Sequence, residues 1–378
     1  MNRATKGRNR LKDFLILFVI IGVIALVIWG AISIFSSRPV TAVSASKLPC
    51  PYSDTVKAFG SYVLYYDGVS IHCMTETGSV RWSFQIGSNA GYDCTDSIIA
   101  VWSGSTIYIL DQNGNSSYND NLGESIQFAR AGKQYVAAVI GDTTAPRLVV
   151  KDHMGSHMDE ESEAYTDLII LDVGFYGAKG EYMWTLALDV FSTAANHLFN
   201  TFEVGKMNTG EVSLGEPIPY EVIYENSLLR VINTRKMLTF TDRGAEDTAA
   251  SVLVYGWQLM DYEVPERGSA YLLFAPTSQA TSMFDIRELR LISGSLDKRY
   301  SLPSTCIGAT VWNKTVYAVS ATELLRAGQN DLRFSTYELP LDAEVTRLIG
   351  TLSSGRIIVA CGSDVYTLTL PHSISNIK

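Results

Sequence analysis

Cysteine and histidine are scarce in this 378-residue chain, at five each, and proline numbers only 11. The cysteines (Cys50, Cys73, Cys94, Cys306, Cys361) stand 21 to 212 residues apart, which excludes the dense disulfide framework of a small secreted domain. With 11 prolines and 29 glycines there is no collagenous or Pro-rich low-complexity sequence. Charged residues make up only 18%, against 20 Tyr, 14 Phe and 6 Trp, so the chain has ample apolar surface to bury and is not largely disordered. Recognisable catalytic signatures are missing as well: no His-Glu-x-x-His, no Gly-x-Ser-x-Gly elbow and no phosphate loop. Positive charge is lacking beyond the N-terminus. Residues 1–38 hold six of the 30 basic side chains and one of the 39 acids, leaving 24 bases against 38 acids in the rest. A body that acidic repels phosphate backbones and anionic headgroups, which excludes nucleic-acid binding and electrostatic adsorption to a membrane.

One long apolar run is present. FLILFVIIGVIALVIWGAISIF, residues 14–35, contains no ionisable side chain and as a helix would span roughly 33 Å, the thickness of a bilayer core. A cleaved signal peptide is the competing reading, because Ala42-Val43-Ser44-Ala45 offers small residues near a cleavage point. The apolar core of a signal peptide normally runs only about 7–15 residues, so an uncleaved transmembrane helix is expected. Five Lys/Arg precede it, and residues 36–55 hold two, Arg38 and Lys47. The positive-inside rule then puts a basic tail (1–13) in the cytoplasm, and a stem (36–41), an ectodomain (42–372) and a short tail (373–378) outside.

Beyond the anchor a pair of alternating apolar runs recurs, each pair opened by a turn residue. The openers are Gly60, Ser97, Gly132, Gly180, Asn226, Gly268, Asn313 and Gly355, at steps of 37, 35, 48, 46, 42, 45 and 42. Period-2 alternation bounded by Gly, Asn and Asp marks β-hairpins. A period near 42 residues leaves room for about four strands, the unit of a propeller blade. The expectation is an all-β, eight-bladed β-propeller, with seven blades as the alternative; packed sandwiches or barrels fit the near-constant period less well. Only PHSISNIK follows the last hairpin, too little for a fourth strand, so Ala42–Cys50 is expected to supply it and close the ring. A Cys50–Cys361 bridge would lock that strand. Free cysteines packing as small hydrophobes is the other reading.

The segment DGVSIHCMTETGSVRWSF, with Thr77, Gly78 and Trp82, resembles the repeat of quinoprotein-type (PQQ-like) propellers. Gly114, Gly155 and Gly210 mark degenerate copies without the tryptophan. A basic N-terminus, one membrane helix and such a propeller together resemble a bacterial membrane-anchored family. The resemblance implies the fold more than an activity. Quinoprotein dehydrogenases hold their cofactor with adjacent cysteines and a calcium ion; no two cysteines are adjacent here, so no cofactor is expected. The non-enzymatic branch, outer-membrane assembly lipoproteins that use the ring as a scaffold, is the better analogy.

Two clusters invite a metal reading. His153, His157 and Asp159 in KDHMGSHMDEESE would share a face if helical, but Gly155-Ser156 reads as a turn and Asp159, Glu160, Glu161 and Glu163 as a solvated loop. Asp111, Asn113 and Asn115 alternate like calcium ligands, yet Ser116 and Leu122 occupy the positions that need Gly and Glu, and Asn113-Gly114 is a turn pair. Asn115 and Asn313 begin glycosylation sequons that coincide with turns. Trp82, Trp102, Trp184, Trp257 and Trp312 are expected to pack between blades. No catalytic residue is assigned. The chain reads as a membrane-anchored, extracytoplasmic, non-enzymatic binding or scaffold module for envelope proteins, peptides or glycans. An extracytoplasmic enzyme (quinoprotein-like or hydrolase) or a sensor subunit is the alternative. The longest loops, Val150–Ile169 and Leu188–His197, are the expected contact sites.

Overall fold

A computed structural model describes residues 42–206, 208–280 and 285–372. The expected tail (1–13), membrane helix (14–35), stem (36–41) and C-terminal tail (373–378) lie outside the described residues. Among the described residues no helix is long and apolar enough to cross a membrane.

Residues Ser44–Thr369 form one compact unit of 32 strands. β1 (Ala45–Pro51) comes first, and blade 1 follows as β2 (Lys57–Phe59), β3 (Tyr62–Tyr66), β4 (Ser70–Thr75) and β5 (Val80–Gln85). Blade 2 is β6 (Ala90–Cys94), β7 (Ile98–Ser103), β8 (Thr106–Asp111) and β9 (Ser116–Asn121). Blade 3 is β10 (Ile126–Ala131), β11 (Tyr135–Asp142), β12 (Ala145–Asp152) and β13 (His157–Glu161). Blade 4 is β14 (Leu168–Tyr176), β15 (Tyr182–Asp189), β16 (Asn196–Glu203) and β17 (Asn208–Gly215). Blade 5 is β18 (Pro219–Glu225), β19 (Leu228–Asn233), β20 (Lys236–Thr241) and the short β21 (Val252–Leu253). Blade 6 is β22 (Trp257–Glu263), β23 (Tyr271–Pro276), β24 (Ile286–Ser293) and β25 (Leu296–Cys306). Blade 7 is β26 (Gly308–Trp312), β27 (Thr315–Val319), β28 (Glu323–Gly328) and β29 (Ser335–Glu338). Blade 8 is β30 (Arg347–Leu352), β31 (Arg356–Cys361) and β32 (Asp364–Thr369), completed by β1 in the order β1-β32-β31-β30.

Eight antiparallel four-stranded sheets therefore make an eight-bladed β-propeller. Each opener read from the sequence sits in the turn between the first and second strands of its blade, and the paired apolar runs are the two middle strands. Those strands are apolar because neighbouring blades cover both of their faces. Val63, Leu64, Ile99, Val101, Val139 and Leu273 are wholly buried in clusters that bridge successive blades. The outermost β5 and β9 keep only every second residue covered, since one of their faces meets water.

Closure occurs where the sequence placed it. β1 runs antiparallel to β32, pairing Ala45 with Leu368 and Lys47 with Tyr366. Leu48 and Cys50 enter the core between blades 8 and 1. The proposed lock is not formed: all five cysteines are free, and β32 lies between the strand of Cys50 and that of Cys361. Burial pushes the Cys50 and Cys73 thiols up to about 11 and those of Cys94 and Cys306 to about 12, as expected of small hydrophobes. Val150–Ile169 is not a long loop either. Asp159, Glu160 and Glu161 lie in β13, because an outermost strand solvates every other residue and tolerates an acidic run. Residues 190–195, by contrast, are a true loop between β15 and β16.

Candidate functional site

The innermost strands β2, β6, β10, β14, β18, β22, β26 and β30 surround the ring's centre. Five of them carry a bulge, at Gln127, Leu171, Tyr220, Met260 and Ile349. A bulge re-aims the side chain that follows it. In three consecutive blades that side chain is an acid: Asp172, Glu221 and Asp261. Arg130 Nε donates to Asp172 Oδ1 at 2.8 Å, and the Tyr262 hydroxyl lies 3.5 Å from Glu221 Oε1. Asp261 accepts from the Thr310 hydroxyl and, at 3.1 Å, from the Val311 N–H of the next blade; Thr310 and Thr351 hydroxyls lie 2.6 Å apart. Asp93 likewise accepts from the Ala131 N–H at 3.0 Å. Carboxylates on one inner strand thus cap amides on the next, and the same belt fixes the angles between blades.

A cavity of about 460 Å³ opens on this belt, lined by Asp93, Arg130, Asp172, Glu221, Tyr262 and Trp184 among others. Burial pushes the Glu221 carboxyl up to about 7, reinforced by the negative charge of Asp172. Burial also raises Asp172, against the pull of Arg130, and raises Asp261 against its hydrogen bonds. Glu221 is therefore a proton acceptor near neutral pH.

A second constellation lies on the rim of blade 1. His72 Nε2 is 2.8 Å from Asp67 Oδ2 and His72 Nδ1 is 2.7 Å from Ser83 Oγ. The His72 hydrogen bond, followed by those from the Ser70 and Val69 amides, holds the Asp67 carboxyl down at about 2. The order Asp-His-Ser suggests a nucleophilic serine, yet Ser83 projects from the outermost strand of its blade, far in topology from the central cavity. What the trio does is pin β4 and β5 to the turn at Asp67. Sequence reasoning missed it because the spacing of 5 and 11 residues matches no local motif.

The sequence-derived candidates are distributed as follows. His153 lies in the β12–β13 turn, where its carbonyl accepts from Ser117 Oγ at 2.8 Å. His157 Nε2 is 3.7 Å from Glu160 Oε2 on an exposed face, and Asp159 Oδ2 accepts from the Gly205 N–H of blade 4 at 2.9 Å. No group of three or more His, Cys, Asp or Glu is disposed around a common metal position among the described residues. Asp111 is occupied by its own turn, accepting from the Asn113 and Asn115 amides at 2.8 and 2.9 Å.

Of the structural-repeat residues, Thr77, Gly78, Gly114 and Gly155 occupy equivalent turns. Thr75, Asp111, Asp152 and Thr241 each use a side-chain oxygen to cap the amide four residues on, leaving a left-handed glycine between, at Gly78, Gly114, Gly155 and Gly244. Trp82 of blade 1 lies over Gly114 of blade 2, so close that a Cβ there would sit 2.4 Å from the indole, and its Nε1 donates to the Gln112 carbonyl at 3.0 Å. Tyr118 covers Gly155 in the same way. It stands four residues after Gly114, as Trp82 stands four after Gly78: the degenerate copy has its docking aromatic, in tyrosine form. Gly210 is corrected: it lies inside β17 against the Arg243 carbonyl and is not a turn residue. Trp312 packs on Gly355 of the next blade; Trp102 and Trp184 pack on Gly91 and Gly174 of their own blades, and Trp257 is flanked by Arg290 and Arg299.

The faces of the ring differ in charge. Loops joining first to second and third to fourth strands emerge on the face where β1 begins, here the proximal face. They carry eight acids and seven bases. Loops joining second to third strands, and each blade to the next, emerge opposite and carry nine acids and one base, Arg235. This is the acidic face.

No known protein family matches the sequence, and no curated protein does. Solved structures do match. BamB from Moraxella catarrhalis aligns at a TM-score of 0.53 and 9% identity, covering 88% of this chain and 100% of BamB. Sqt1 from Saccharomyces cerevisiae aligns at 0.55 and 9%, covering 87% and 100%. A eukaryotic initiation factor aligns at 0.50 and 11%, covering 78% and 87%. At these identities the likeness concerns fold alone: a β-propeller.

Proposed function

We propose that the chain is a non-enzymatic docking module, a propeller tethered to the cell membrane that presents its acidic face outward to an envelope protein. The observation that carries this reading is the charge difference between the faces. The polypeptide joins the ring at Ser44 on the proximal face, whose loop charges nearly cancel. A tether at residues 14–35 reaches it through residues 36–44, which extend to at most about 30 Å. Anionic headgroups tolerate a near-neutral surface and repel one carrying nine acids against a single base. With the basic residues 1–13 in the cytoplasm, the ring stands outside the cell and the acidic face meets other proteins. Rigid loops on a closed ring suit such docking.

The reading is tested by photo-crosslinking in intact membranes. A photoreactive residue replaces Asp285 or Glu344 on the acidic face, or Ser354 or Leu332 on the proximal face, all four exposed. Discrete protein adducts are expected from the first pair and lipid adducts, or none, from the second. Protein adducts confined to the proximal face overturn it, as does protection of the whole propeller from protease added outside the cell.

A further inference from the structure

Large apolar side chains exposed on the proximal face are scattered: Val80, Met154, Val264 and Leu332 belong to four different blades. On the acidic face all but Val69 of blade 1 gather in the loops of blades 4 and 5. Val190 and Phe191 occupy the β15–β16 loop, Ile218 the β17–β18 connection, Leu253 the end of β21, and Tyr255 the connection to β22. Phe191 is 66%, Leu253 64% and Tyr255 71% exposed, a poor arrangement for large side chains unless something covers them. Backbone and side-chain bonds join these loops into one ledge. Ser213 Oγ donates to Asn196 Oδ1 at 2.6 Å, and His197 Nδ1 is 3.0 Å from the Gly215 carbonyl. The Thr234 N–H then donates to the Ile218 carbonyl at 3.2 Å, and the Val254 N–H to the Arg235 carbonyl at 3.0 Å. The ledge is thus a set of bonded loops across blades 4 and 5, with exposed apolar side chains on either side of the Thr234-Arg235 turn.

We propose that this ledge binds a cationic amphipathic segment of a partner protein, its apolar side chains laid on Phe191, Ile218, Leu253 and Tyr255. The inference deepens the docking function proposed above and rests on it. Charge complementarity selects the occupant. Nine acids against one base in the loops of this face attract a cation, and exposed Glu163, Asp167 and Glu216 border the ledge to receive one. An anionic segment meets repulsion from Glu163, Asp167 and Glu216, and attraction only where Arg235 and Lys236 stand together at the β19–β20 turn. That pair marks the one point along the ledge where the bound segment carries no cation. Apolar contact supplies the residence time and the surrounding acids supply orientation and approach rate.

The test uses the full chain in nanodiscs of neutral lipid, empty discs serving as the blank, and fluorescence anisotropy of labelled 18-residue helical peptides built from leucine and lysine or from leucine and glutamate in the same pattern. The leucine–lysine peptide is expected to bind, and to lose affinity by about tenfold or more in the F191S/Y255S double variant, as when central aromatic anchors are removed. L332S on the proximal face should leave binding unchanged. Because Phe191 and Tyr255 are exposed, the double variant keeps its melting temperature, which separates lost docking from lost folding. Undiminished binding by the double variant, or equal binding of the leucine–glutamate peptide, overturns the ledge. Acidic-face crosslinks that persist alongside either result would leave the docking module standing on another sector, so the two failures are told apart.

Discussion

Closure of the ring by β1 can be measured at a single side chain. Leu48 is 2% exposed and packs with Val63 and Met74 of blade 1 and with Leu352, Ile358 and Val365 of blade 8, so it fastens both sides of the seam. Leu48→Ala removes these contacts and leaves a cavity between two sheets that cannot collapse without opening the ring. Burial of this completeness puts the loss at about 2–5 kcal/mol. In a domain of this size it appears as a fall in melting temperature of at least about 3 °C. The comparator is Leu332→Ala, whose side chain is 95% exposed and whose loss costs less than about 0.5 kcal/mol. Both are read on the full chain in detergent by intrinsic tryptophan fluorescence during heating and during urea denaturation. Deleting residues 40–53 bares the edge of β32 and should lower the transition further or abolish it. If Leu48→Ala melts with Leu332→Ala, or if the deletion melts as wild type does, the seam is not where the ring's stability is decided and the closure argument fails.

Two other perturbations follow from the geometry. Gly114→Ala forces a side chain into φ +76° and against the Trp82 indole, whereas Gly104→Ala meets only φ +59° with open space around it. Urea denaturation should show a loss of about 2–4 kcal/mol for the first and about 1 kcal/mol for the second, and equal losses would refute the docking role of Trp82. Glu221 titrates at about 7 in the folded ring and near 4 when unfolded, so the folded state holds the extra proton between these values. Its stabilising contribution is complete below the unfolded value and is lost as pH rises through 7. Glu221→Gln should therefore flatten the decline in melting temperature between pH 5 and pH 8, and a variant that declines as steeply as wild type removes Glu221 as the cause.

What could be read without coordinates was whatever repeats locally. The eight openers from Gly60 to Gly355 located every middle hairpin, because strands covered on both faces must be apolar and six of the eight openers take a positive φ that favours Gly or Asn. The expected closing strand at Ala42–Cys50 corresponds to β1, which completes the last blade beside β32. The first and fourth strands of most blades were not legible, since inner strands carry charges for the central belt and outer strands alternate weakly against water. Tyr118 escaped notice because a tyrosine at the docking position has no distinctive neighbours, although its distance from Gly114 was visible. The acidic run at Asp159–Glu161 looked like loop because a solvated edge strand and a loop share a composition.

Only the folded ring decided which distant residues meet. Asp93, Arg130, Asp172 and Glu221 are dozens of residues apart and converge because successive blades rotate their inner strands toward one axis. The contrast between faces has the same origin. A loop's side of the ring depends on whether it follows an odd or an even strand of its blade, a parity that exists only once every strand is paired. Sequence alone thus marked the repeating unit through local alternation, and the eight paired sheets decided between eight blades and seven. Tertiary structure determined charge placement and the apolar ledge, because those depend on angle around an axis and not on distance along the chain.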